Sequence, residues 1–181
     1  LMHNDINPSN IMISETIDEA VIIDLGHISE RCTGLVHFDT SDLDIFYHAN
    51  ETASGIYDEQ SDLFSVCSVL YYMLTSKAPW QTEIEGTTYK ERLKLLWQYR
   101  KNTKVDIDSL NCSSKCKSIL KKGLELKNTD RYGSISEVIR DLDESKPNTS
   151  PMEPSSQSSQ PFSSIHDQRQ QSPNYVEFPI I

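Results

Sequence analysis

A mainly helical fold carrying one small β-hairpin is what this sequence predicts, on three observations. Two short β-branched runs, Asn10 to Ser14 and Ala20 to Asp24, flank the polar turn Glu15 to Glu19. Behind them Asp62 to Thr75 is apolar on nearly every face, as a helix in the middle of a core must be. Three further stretches then repeat apolar residues at helical spacing.

Each element has its own local reason. Ser61 can serve as N-cap for the central helix, and Pro79 stops it. Thr88 to Arg100 sets Leu93, Leu95, Leu96 and Trp97 among charges, and Ser114 to Leu124 lines Cys116, Ile119, Leu120 and Leu124 along one stripe. Ser134 to Leu142 opens with Ser134 and Glu137 at capping-box spacing. From Ser145 the composition changes: 37 residues hold six of the eight prolines, nine serines and no glycine. Such a stretch buries too little apolar surface to offset its ordering entropy, so 1–144 reads as the folded body and 145–181 as a disordered tail, with Val176 to Ile181 the one apolar segment able to dock.

Charge and length exclude several classes. Lys and Arg number 17 against 27 Asp and Glu, a net charge of −10, which disfavours a nucleic-acid binder relying on a basic face. The longest near-continuous apolar run, Val66 to Leu74, is too short to span a membrane. Four cysteines lack CxxC or zinc-finger spacing and read as reduced thiols, which points to the cytoplasm.

Chemistry concentrates in His3-Asn4-Asp5-Ile6-Asn7-Pro8-Ser9-Asn10 and, beyond the hairpin, Asp24-Leu25-Gly26. Asp5 and Asn10 sit on a loop entering one strand and Asp24 leaves its partner, so the hairpin brings them to one mouth. Two carboxylates and a carboxamide there suit phosphoryl transfer: one accepts or orients a hydroxyl proton, while Asn10 and Asp24 offer oxygens to Mg²⁺. Either motif alone is usually an N-cap or a turn; the pair with strands between is much less often accidental.

On these residues the sequence resembles the protein kinase family, whose catalytic loop reads H-R-D-L-x-x-x-N and whose magnesium motif reads D-F-G. Tyr47-His48-Ala49-Asn50-Glu51 is similar to Y-x-A-P-E, Ser61 to Trp80 to the S-D-V-W-S-L-G pattern with its central helix, and Asp130-Arg131-Tyr132 to the element before the last helix. The resemblance runs from His3 to about Asp143. It implies a kinase C-lobe without an N-lobe, hence a fragment of a longer serine/threonine kinase taking ATP, Mg²⁺ and protein substrates. It also implies roles: Asp5 as catalytic base with Asn7 beside it, Asn10 and Asp24 as metal and nucleotide ligands, and Glu51 with Arg131 as a buried ion pair. Met12 falls where the family packs under the adenine ring, and a core role fits it equally. His3 is implied to pack, held near Asp62.

Departures oppose activity. The loop arginine is Asn4, the lysine two after the catalytic aspartate is Asn7, and the activation-segment threonine position carries Asp44. Asn50 for proline and Cys67 for a helix glycine read as tolerated changes. A pseudokinase or scaffold that binds partners is therefore the alternative, with small-molecule phosphotransferases of the aminoglycoside type a distant third.

Overall fold

The computed structural model describes residues 1–14, 19–30, 44–86, 88–143 and 175–177. The hairpin forms where its β-branched runs lie. Strand β1 (Ile11–Ser14) pairs antiparallel with β2 (Ala20–Ile22), Ile11 opposite Ile22 and Ile13 opposite Ala20. The middle of the expected turn, 15–18, lies outside the described residues.

One short stretch of the tail is a strand, and it overlaps the segment Val176 to Ile181 that the sequence leaves able to dock. Tyr175–Glu177 forms strand β3 on the other edge of β1, with Ile13 opposite Val176. An edge strand presents unpaired N–H and C=O groups, and backbone pairing to it needs no large apolar surface. The rest of the tail, 144–174 and 178–181, lies outside the described residues.

Helix α1 (Glu59–Thr75) begins three residues earlier than the apolar run because its cap is Asp58. The Asp58 carboxylate accepts from Ser61 N at 3.0 Å while the Ser61 hydroxyl faces Asp58 N. Ser61 is thus the third helical residue of a capping box, not the N-cap. Burial also differs from the expectation at the other end: Phe64 and Cys67 are enclosed, but Met73 and Leu74 are exposed.

Helix α2 (Tyr89–Asn102) carries the box its sequence spells, Thr88 with Glu91, and buries Leu93 and Leu96 while Leu95 and Trp97 face outward. Helix α3 (Ser114–Gly123) is capped by Ser113. It packs closely on α1: a Cβ on Gly123 would lie 2.1 Å from Cys67 Sγ. Cys67, where the resemblance expects a glycine, is accommodated because the glycine is on the facing helix. In α4 (Ile135–Asp143) the expected box is altered, since Glu137 accepts from Gly133 N at 3.2 Å.

One apolar cluster joins α1 and α3 through Phe64, Cys67, Ile119 and Leu120 and takes in Tyr132 and Val138. A second sets Leu93 and Leu96 of α2 against Ile45, and a third sets Ile6 and Tyr47 against Val69 of α1. The loop before β1 and the segment around residue 47 are thereby fixed to the same central helix. No helix among the described residues is long and apolar enough to cross a membrane.

Candidate active site

The loop His3 to Asn10 is shaped by its own polar side chains and by α1. Asp62 accepts from the backbone N–H of His3 at 2.7 Å and of Asn4 at 2.9 Å. Burial holds the Asp62 pKa above its ordinary value, and these charge-assisted bonds oppose that rise only in part. Asn4 adopts a left-handed φ of 66°, which asparagine tolerates better than most residues. Its amide donates to His27 O at 2.7 Å and Ser29 Oγ at 2.9 Å, so the residue in the loop-arginine position ties this loop to the chain beyond β2. His3 does the same through the contact of its Nε2 with Ile23 O at 3.0 Å.

Asp5 is buried and surrounded by donors. Asn7 Nδ2 donates to Oδ1 at 2.9 Å and Asn10 Nδ2 to Oδ2 at 2.8 Å and to Asp5 O at 2.9 Å. Burial raises the Asp5 pKa, but the His48 imidazole together with these amides outweighs it, and the carboxyl sits below its ordinary value. Asn7 also shapes the loop, since its Oδ1 accepts from Ser9 N at 2.9 Å and caps the turn Pro8–Asn10.

Asn10 and Asp24 are aligned by the hairpin, since Ile23 N donates to Asn10 O at 2.9 Å. With its Nδ2 committed to Asp5, Asn10 keeps its amide oxygen without a partner among the described residues. Asp24 has a left-handed φ of 59° and accepts from Gly26 N through Oδ1 at 3.1 Å, and its other oxygen has no partner among the described residues. The donor set is therefore one amide oxygen and one carboxylate oxygen, hard ligands of the kind Mg²⁺ prefers. Among the described residues no three His, Cys, Asp or Glu gather as a metal cluster, so an ion here would complete its shell with water and phosphate. Met12 is half-buried in the middle of β1.

Behind the loop stands a charged corner. Arg131 Nη1 donates to Glu51 Oε1 at 2.6 Å and Nη2 to Oε2 at 3.1 Å, and its remaining donors reach Glu125 O, Gln60 O and Leu126 O. The pair implied for Glu51 and Arg131 is present, with Arg131 enclosed and Glu51 partly buried.

Three residues here escaped the sequence reading. Buried Arg100 on α2 donates to His48 O at 2.8 Å, Asn50 Oδ1 at 2.9 Å and Phe46 O at 3.0 Å. It explains Asn50: losing the proline there supplies an amide oxygen that Arg100 reads. Burial lowers the Arg100 pKa to about 9, so the guanidinium is charged at neutral pH. His48 and Tyr89 meet beside Asp5. A basic residue in the last turn of α2 looks like an ordinary helix-end charge, and nothing local marks Tyr89.

The protein kinase domain family matches residues 1–142, so the chain belongs to the protein kinase family. Calcium-dependent protein kinase 27 of Arabidopsis thaliana is 32% identical over 93 residues, 50% of this chain and 19% of that protein. A probable serine/threonine-protein kinase of Clostridium perfringens is 28% identical over 151 residues, 81% and 21% of the two chains. Serine/threonine-protein kinase B of Synechocystis is 26% identical over 152 residues, covering 79% and 24%. The chain thus spans about a fifth to a quarter of these relatives' length.

Proposed function

We propose that this chain is the catalytic lobe of an ATP-dependent serine/threonine protein kinase, transferring the γ-phosphate to protein hydroxyls. The observation that carries the reading is the division of labour around Asp5: amide nitrogens of Asn7 and Asn10 orient its carboxylate, while an Asn10 oxygen and an Asp24 oxygen are left over. Asp5 accepts or orients the substrate hydroxyl proton, and Asn10 with Asp24 holds Mg²⁺. A Mg²⁺ held by these oxygens would supply positive charge against the phosphates. Met12 lies under the adenine in this reading. In this reading the nucleotide-covering lobe is supplied by a longer polypeptide, in line with the chain's small share of its relatives' length.

The test is phosphotransfer by the natural polypeptide containing this chain. Asp24→Asn should abolish it, and Asp5→Asn should lower kcat by about two to four orders of magnitude with little change in ATP affinity. The 181 residues by themselves should turn over no ATP, because positioning supplies most of this catalysis.

A second reading, a kinase-like lobe that binds partners without phosphotransfer, is favoured by Asn4 and Asn7. The Asn4 amide is committed to His27 and Ser29, so it does not serve as a phosphate reader. Asn7 brings no positive charge to Asp5. Wild-type inactivity on several substrates, unrelieved by Asn7→Lys or Asp44→Thr, would decide for this reading.

A further inference from the structure

His48 lies in the segment that enters the turn Asn50–Ser54, and it is 1% exposed. A buried imidazole must account for both ring nitrogens. Nε2 is 3.4 Å from Asp5 Oδ1, and Nδ1 is hydrogen-bonded with the Tyr89 hydroxyl at the head of α2. The two rings meet edge to face, with centroids 5.6 Å apart. The ring is held in place through its own main chain, whose carbonyl accepts from Arg100.

Proton accounting settles which nitrogen faces Asp5. Burial raises the Tyr89 pKa, so the phenol keeps its proton. The Thr52 hydroxyl donates to Ala49 O at 2.7 Å, so toward Tyr89, 3.3 Å away, it can only accept. Two arrangements then satisfy every group. Either Tyr89 donates to Nδ1 and the neutral ring carries its proton on Nε2, or an imidazolium donates from Nδ1 to the Tyr89 oxygen while Tyr89 donates to Thr52. In both, an Nε2–H points at the carboxylate. The remaining tautomer would set a bare nitrogen lone pair against an acidic oxygen.

We infer that His48 is a positioning residue for Asp5, an imidazole donor anchored by Tyr89 that takes over the place left by the missing cation at position 7. The inference rests on the reading of Asp5 as the base. Asn7 and His48 converge on the same oxygen, Oδ1, while Asn10 takes Oδ2. At 3.4 Å the imidazole acts more by orientation and charge than by a short bond. The charged groups around it are Asp5 on the loop, Asp62 on α1, Asp44 earlier in the same segment and Arg100 on α2, with the neutral Tyr89 phenol at its back.

Ring-nitrogen NMR on the 181-residue chain with labelled histidine tests the contact, His48→Gln assigning its signals among the five histidines. Nε2 should be protonated at neutral pH and below. Tyr89→Phe, which keeps the ring and removes the hydroxyl, should let the tautomer with only Nδ1 protonated grow. A bare Nε2 in the wild type, or no response to Tyr89→Phe, overturns the inference. In the natural polypeptide, His48→Gln should lower kcat about tenfold to a hundredfold at unchanged KM for ATP and alter the pH profile. Unchanged kcat and pH profile, with Asp5→Asn still inactive, overturns the positioning role and spares the base reading. Phosphotransfer that survives Asp5→Asn, or a wild type that transfers none, overturns the base reading and the positioning role with it, whatever the ring nitrogens show.

Discussion

Asp5 and Glu51 are both carboxylates held by side chains from distant parts of the chain, yet Asp5 meets two amides and an imidazole where Glu51 meets a bidentate guanidinium. Around Glu51 positive charge is doubled: Arg131 and Arg100 both lie over the Phe64 ring, at 4.8 Å and 4.9 Å. Around Asp5 the positions where the family carries cations hold Asn4 and Asn7. The difference separates two jobs. The Glu51 carboxylate is locked by a permanent charge, whereas the Asp5 carboxylate is oriented by amides and an imidazole that bring no fixed positive charge. Loss of a partner should therefore cost far more stability at Glu51 than at Asp5.

The largest expected effect is at Arg131. Arg131→Ala leaves Glu51 a partly buried, uncompensated charge and should lower unfolding free energy by about 3–5 kcal/mol, read from the denaturant midpoint. A loss below about 1 kcal/mol would break the comparison at its stronger side. Arg100→Met keeps an unbranched side chain of similar reach but removes the guanidinium that lies over Phe64 and Trp80 and deserts His48 O, Phe46 O and Asn50 Oδ1. About 2–4 kcal/mol should be lost, and Asn50→Pro in that background should restore part of it if Asn50 exists to serve Arg100.

Gly123→Ala sharpens the comparison by probing the apolar wall behind the Glu51 corner. Its Cβ would meet both Cys67 Sγ and Cβ, so the cost should be about 1–3 kcal/mol, and Cys67→Gly should recover much of it in the double variant. Thermal unfolding of the four proteins gives the coupling. Asn7→Ser has the smallest expected effect, since a serine keeps a capping oxygen and removes only the donor to Asp5 Oδ1, worth about 0.5–1.5 kcal/mol. The sign with pH follows from the lowered Asp5 pKa. Its contribution is present above the unfolded carboxyl's 3.8 and is lost as pH falls through the folded value. Wild type and Asn7→Ser should therefore differ at neutral pH and converge in acid, which urea titrations at several pH values would follow.

By itself the sequence determined the elements and the family. Helix periodicity and the β-branched runs are local signals, and local signals survive in one dimension because the residues involved are neighbours. The loop Asp5 to Asn10 was legible for the same reason, its amides reaching only two and five residues back. What the tertiary structure alone decided lies at long separation. Arg100 reads a carbonyl 52 residues away, His48 approaches Asp5 across 43, and β3 adds to the edge of β1 from the far end of the chain. None of these carries a period or a spacing, because each joins elements that only the folded chain brings together, and the separation of such residues along the chain has no pattern to read.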